Sequence, residues 1–309
     1  MKLASTLLLS SLVSACMIDA GDEPAAEPDV TTDEVAAPTV DELAAPDVLE
    51  IIGAESYRAV AAPPPIRYHG GPIMLGTTKV YVIWYGSWTG NTALTLVPVF
   101  VPALGGSSYF NINTTYTDAS GAKVTNALGF GGQTTDAYSR GKLLGDSDVA
   151  MVVANALAAK KLVRDPSGIY VVLSSADVNE TSGFCTRYCG WHTYGTLNGA
   201  QTRIAYVGNP DRCPTACEAQ TARSPNGNPG ADGLVSILAH ELDESVTDPN
   251  LNAWFDAQGA ENADKCAWTF GTTRTVANGS KANVKLGGKD YLLQQNWLNA
   301  GAGTCAMAR

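Results

Sequence analysis

The chain has 309 residues, of which 45% are hydrophobic and 16% charged, with a formal net charge of −10, and this is enough apolar material for one large domain with a real core. Residues 17–57 carry 12 acidic side chains and no basic one, which leaves 18 acidic against 19 basic residues in 58–309. A body so close to neutral lacks the basic stripe with which a nucleic-acid binder replaces counterions, and no apolar run reaches the roughly 18–20 residues of a membrane-spanning helix, which excludes a polytopic membrane protein.

In chain order, the first element is a targeting segment. Lys2, the apolar run from Leu3 to Val13 and the small residues Ser14 and Ala15 before Cys16 make an export signal. It resembles a bacterial lipoprotein signal, which is cut before the cysteine that is then lipidated; ordinary secretion with cleavage near Ala15 or Ala20 is the alternative. The expected destination is the outer membrane or cell surface as a lipoprotein, or the medium as a secreted protein. Residues 17–65 are rich in Ala, Pro, Asp, Glu, Val and Thr and end in Pro63-Pro64-Pro65. Such a stretch cannot bury enough apolar surface to offset its ordering entropy, so it predicts a disordered acidic tether, with a short helix around Val48 to Ile52 as its one local option. The division is thus signal 1–16, tether 17–65 and globular domain 66–309.

Within the globular part, Lys79 to Tyr85 is a β-branched and aromatic run closed by Gly86, the pattern of a buried strand. Val149, Val152, Val153, Ala156 and Leu157 make one helical face over 148–162, with Asp146 or Ser147 as cap. Ile169 to Leu173 and Arg203 to Val207 predict two further strands, and Leu234 to Val246 a helix stopped by Pro249. Val276 to Trp297 reads as hairpins turning at Asn278-Gly279 and Gly287-Gly288. Apart from Cys16 there are six cysteines, an even count that in an exported chain means disulfides. Cys266 with Cys305 is the favoured pair; Cys185, Cys189, Cys213 and Cys217 could bridge within or between their C-x-x-x-C repeats, or form a zinc knot. The fold class expected is α/β, or α+β: a mixed sheet with packed helices and disulfide-stabilised Gly-rich loops.

The chemistry concentrates in Ala239-His240-Glu241-Leu242-Asp243-Glu244. On a helix His240 and Glu244 stand about 40° apart and one turn apart, while Leu234, Leu238, Leu242 and Val246 gather roughly opposite. The helix therefore presents an imidazole and a carboxylate to a cleft, the geometry of the H-E-x-x-H zinc helix with Glu in place of the second His. A hydrolytic metal needs about three protein ligands and an open position for water, and a neighbouring carboxylate to take that water's proton. His240 and Glu244 supply two ligands and Glu241 the base. Glu261, 17 residues after Glu244 in Glu261-Asn262-Ala263-Asp264-Lys265-Cys266, resembles the third ligand of thermolysin-type peptidases, with Asp264 as the residue that orients His240. Asp264 as ligand with Glu261 behind it is the alternative. So oxygen-rich a set suits zinc but lets manganese or calcium compete. His192 is a candidate for stabilising an oxyanion or adding a ligand; His69, Asp248, Trp254 and Asp256 have simpler structural readings. No G-x-S-x-G elbow or P-loop is present, and Gly129 to Gly132 lacks the context of a dinucleotide fingerprint.

His69-Gly70-Gly71-Pro72, the run from Val80 to Trp88, Phe184-Cys185, Cys189-Gly190-Trp191-His192 and Ala205-Tyr206-Val207-Gly208-Asn209 together resemble the Exordium, or phosphate-induced protein 1, family. So do Cys213-Pro214, Cys217, Asn226-Gly227, Asp232-Gly233, Ala239-His240-Glu241, Asn252-Ala253-Trp254, and Asp264 with Cys266. The resemblance implies an extracellular protein that shares the H-E-x-x-E helix, and it carries no biochemical activity with it. The leading expectation is a metal-dependent hydrolase acting on an extracellular peptide or on cell-wall or matrix material, touching membrane only through a lipid anchor. Its rivals are a non-catalytic surface protein whose cluster is structural or holds calcium, and a carbohydrate-binding module using some of the 6 Trp and 12 Tyr.

Overall fold

The computed structural model describes residues 36–50 and 65–309. The signal segment with Cys16, residues 17–35 and residues 51–64 lie outside the described residues. Seven strands make the main sheet: β1 (Val40–Leu43), β2 (Asp47–Glu50), β3 (Thr78–Tyr85), β4 (Leu128–Asp136), β5 (Gly168–Ser174), β6 (Tyr188–Leu197) and β7 (Ala200–Gly208). Their spatial order is β1-β6-β7-β5-β3-β4, with β2 also paired to β6. The β7-β5-β3-β4 neighbours are parallel, while β6 runs antiparallel to β7 and to both β1 and β2. The mixed α/β class expected from the sequence is the one observed.

The central strands are near-continuous apolar runs because parallel strands covered on both faces have no side to give to water; Val80 to Tyr85 and the whole of β5 are buried. Two elements carry no periodic signal strong enough to be read beforehand. Helix α1 (Ala93–Leu104) contains Pro98 and Pro102, each of which removes an intrahelical hydrogen bond and strains the turn before it. It persists because Ala93, Leu96, Val97, Phe100, Val101 and Leu104 form one buried stripe, so tertiary burial outweighs local propensity. Strand β4 contains Gly129, Gly131 and Gly132, and Gly131 is there for packing: a Cβ would lie 2.6 Å from the Tyr81 ring.

Helix α2 (Asp146–Ala158) starts one step before the expected caps. Gly145 is its N-cap, and Asp148 reaches back to accept from the Gly145 N–H at 3.0 Å, the box arrangement that satisfies an orphan donor. Helix α3 (Pro229–Thr247) begins with Pro229 at its first position behind Asn228, whose side chain accepts from the Ala231 N–H at 3.1 Å. The amphipathic expectation for α3 is corrected: every residue from Gly230 to Thr247 is buried. Its polar side does not face an open cleft but lies under β6, and the approach depends on Gly190, where a Cβ would meet Glu241 Oε1 and Ile237 Cγ2, each at 2.7 Å.

The tether expectation is corrected where it overlaps β1 and β2, and the turn of helix at Val48 is a strand instead. An exposed edge of β6 offers a row of unpaired backbone groups, and even a polar, acidic segment gains enough by pairing with it to become ordered. Disulfides join Cys266 to Cys305, as expected, and join the two C-x-x-x-C repeats crosswise as Cys185–Cys213 and Cys189–Cys217. Both repeats are thereby tied across the end of β6 and the turn of helix at Pro214–Cys217. The 276–297 region forms the hairpins 274–275/281–282 and 284–286/289–291. No helix among the described residues is long and apolar enough to cross a membrane.

Candidate metal centre

His240 and Glu244 sit one turn apart on α3, as their spacing requires, with Glu244 Oε1 2.9 Å from His240 Nε2. Neither His240 nitrogen is counted in a hydrogen bond among the described residues, and neither is either oxygen of Glu241. The following segment folds back onto the helix. The Asp264 N–H donates to Glu244 Oε1 at 3.0 Å, and Asp264 Oδ2 accepts from the Glu261 N–H at 3.2 Å. Asp264 Oδ1 then stands 3.4 Å from His240 Nε2. From the sheet side, His192 on β6 brings its Nε2 to 2.6 Å from Glu261 Oε2 and 3.8 Å from Glu244 Oε2.

Five of the six residues proposed from the sequence fall into two groups that share Glu244. His240, Glu244 and Asp264 form one; Asp47, His192, Glu244 and Glu261 form the other, and within each group the ligand atoms lie within 4.8 Å of one another. Asp47 is the residue the sequence reading missed. It lies in what the composition marks as a tether, and only its pairing opposite His192 across β2 and β6 turns its carboxylate to the same face as that imidazole. Glu241 joins neither group but lies beneath Gly190 with its carboxylate fully buried. A depression of about 240 Å³, lined by Ala45, Pro46, Asp47, Asp248, Phe255 and Glu261 among others, opens beside the second group.

Burial, and then repulsion among the acids, raises the pKa of Glu241 and Glu244 well above the carboxylate range, and burial followed by Asp47 does the same for Glu261. Asp47 is pushed up to about 7 by burial and then by Asp264. Burial alone would depress His240, but the charge of Glu244, then the close carboxylate contacts of Asp264 and Glu244 and the charge of Glu241, outweigh it and raise that imidazole. Burial takes His192 down to about 3, so it stays neutral, the form that binds metals. Carboxylates this deep must be neutralised by protons or by a cation. Two imidazoles, several carboxylates and the unpartnered atoms of His240 and Glu241 fit a divalent metal, and the donor set is harder than that of a two-histidine zinc site.

The other candidates have structural roles. His69 is exposed, stacks on Phe255 at 3.7 Å and contacts its carbonyl at 3.1 Å. Asp248 accepts from the N–H groups of Asn252, Ala253 and Trp254 at 2.6, 2.7 and 3.1 Å and so shapes the loop after α3. Asp256 pairs with buried Lys265 at 2.7 Å, and Trp254 packs between Tyr68 and Tyr116.

The conserved region of phosphate-induced protein 1 matches residues 66–291 of the chain. Protein EXORDIUM-like 3 of Arabidopsis thaliana is 30% identical over 271 residues, covering 75% of this chain and 80% of its own. Protein EXORDIUM-like 5 of the same plant is 30% identical over 273 residues, covering 75% of each chain. Protein PHOSPHATE-INDUCED 1 of Nicotiana tabacum is 27% identical, covering 66% of this chain and 72% of its own. No solved structure matches. With the motifs in order along most of its length and its three disulfides of an exported protein, the chain belongs to the phosphate-induced protein 1, or Exordium, family.

Proposed function

We propose that the protein is an exported, lipid-anchored, metal-dependent hydrolase that cleaves peptide bonds. The observation that carries this reading is the convergence, under β6, of His240, Glu244 and Asp264 beside His192 and Glu261, with His240 and Glu241 buried and lacking hydrogen-bond partners. His240, Glu244 and Asp264 are the ligands for zinc, with manganese the closest competitor, and Glu261 takes its place with His192 on the other side of Glu244. An ion held there would polarise a carbonyl and lower the pKa of water, so that hydroxide is available near neutral pH. Glu241 Oε1 or Oε2 accepts the proton of that water and returns it to the leaving amine, a task suited to a carboxylate whose pKa is raised by burial. His192 Nε2 holds Glu261 in position through their 2.6 Å contact. The lipid anchor rests on the Val13-Ser14-Ala15-Cys16 sequence.

The non-catalytic rivals have less to rest on. None of the described Trp or Tyr side chains is exposed, so the described residues offer no row of rings for a sugar chain. The test is elemental analysis of the purified full chain beside His240→Ala, after dialysis against metal-free buffer. About one zinc or manganese per chain, lost in the variant, is the expected result. Calcium alone favours a structural site, and no metal in either protein after zinc is supplied removes the reading. In the metal-loaded protein, Glu241→Gln should lower peptide turnover by about 10²-fold or more while leaving the metal in place; normal turnover sinks the mechanism.

A further inference from the structure

The least expected part of the molecule is the acidic segment seated on β6. The family region begins at residue 66, so β1 and β2 precede it, yet they complete the edge of the sheet next to the metal centre. Their hold on β6 involves the backbone: the Ala44 N–H donates to Tyr194 O at 3.0 Å, the Asn198 N–H to Thr39 O at 3.1 Å, and Thr193 Oγ1 to Ala44 O at 3.0 Å. Both pairings slip in register, between Val40 and Glu42 and again between Val48 and Glu50, and residues 45 and 46 lie between the strands outside the ladder. Asp41, Glu42 and Ala45 are exposed, and Val40, Leu43, Pro46 and Val48 only half-buried. Backbone-led addition of an extended chain to a sheet edge tolerates many sequences, and a strand held this way can be exchanged for another.

We propose that the edge of β6 beside His192 is the binding site for an extended polypeptide substrate, and that residues 40–50 of this chain occupy it as a displaceable stand-in. The proposal rests on the hydrolase reading for what happens to the bound peptide, but not for the binding itself. Two further observations support it. Asp47, opposite His192, puts a carboxylate among His192, Glu244 and Glu261, where it competes with substrate for the centre. Ala45, Pro46 and Asp47 also form one wall of the depression that opens beside that group, so the seated segment narrows the approach to it. The full chain is then latent, and displacement of residues 40–50 exposes both the edge and the centre.

The test uses the full chain with a site-specific protease sequence placed between residues 51 and 64, outside the described residues. A fluorescein-labelled synthetic peptide with the sequence of residues 38–50 is titrated by anisotropy into uncut and cut protein, each metal-free and zinc-loaded. Cutting and washing should release the segment and tighten peptide binding at least tenfold, with an unlabelled extended peptide competing. A segment that stays seated through prolonged dilution, or a released one whose loss leaves peptide binding unchanged, overturns the proposal. Ala44→Pro in the uncut chain provides a second route: loss of the Ala44 N–H should also tighten binding of the labelled peptide, and unchanged binding counts against the stand-in. Peptide binding without turnover in any form would sink the hydrolase and keep the strand site, whereas turnover without a gain in binding would do the reverse.

Discussion

Helix α3 carries two buried polar clusters, and the contrast between them separates a structural network from a site. Asp243 lies in one of them, where Asn113 Nδ2 donates to Asp243 Oδ1 at 2.7 Å, and Asn113 Oδ1 accepts from Asn262 at 3.1 Å and from Asn296 at 2.8 Å. Amides with both donors and acceptors tie these residues together, although Asp243 Oδ2, Asn262 Oδ1 and Asn296 Oδ1 are left without a hydrogen bond among the described residues, and the network anchors the start of the segment that carries Asp264. His240, Glu241 and Glu244 lie in the other, where carboxylates predominate, His240 Nε2 stands 2.9 Å from Glu244 Oε1, and neither oxygen of Glu241 has a hydrogen-bond partner among the described residues. Groups able only to accept, packed together in a dry place, are stable when something positive stands between them. The same helix thus holds one cluster tied together by amide hydrogen bonds and one in which carboxylates and imidazoles crowd together.

The comparison can be broken by mutation. Asn113→Ala leaves Asp243, Asn262 and Asn296 without their common partner and should cost about 3 kcal/mol in denaturant unfolding, with metal content unchanged; a loss of metal alongside would merge the two clusters into one. Gly190→Ala drives a methyl into Glu241 and Ile237 and should cost about 2 kcal/mol, with a larger fractional loss of turnover than of folded protein. Equal losses would remove Glu241 from the chemistry. The smallest effect concerns acids outside both clusters. Burial, then the charge of Asp211, raises Glu218 from 4.5 to about 7. The proton-bound form is the one the fold prefers, so its contribution is complete below about pH 4.5 and disappears as pH rises through about 7. Glu218→Gln should therefore raise the melting temperature at pH 8 by a degree or two, on the order of 0.5 kcal/mol, and leave it unchanged at pH 4. A gain at both pH values would show that packing rather than charge is the cause.

Much of the fold and the centre is legible in the sequence. The apolar runs that become β3, β5 and β7 and the helix that sets His240 and Glu244 on one side follow from local patterns, because period, side-chain shape and turn residues act over a few positions, whereas Cys266 with Cys305 is the favoured choice among many pairings. The proline-bearing α1 and the glycine-bearing β4 do not follow from such patterns, since their local propensity opposes the state that burial imposes. The crosswise linkage of Cys185 to Cys213 and Cys189 to Cys217, the enclosure of α3 on every side and the division of five of the six candidate residues between two groups sharing Glu244 depend on residues far apart in the chain. Asp47 makes the point most sharply: its neighbours in sequence describe a solvated acidic tether, and only the unfilled edge of β6, about 145 residues later in the chain, supplies the backbone partners that bring it to the centre. Local chemistry chose the helix and its ligands, and long-range pairing chose which side chains meet them.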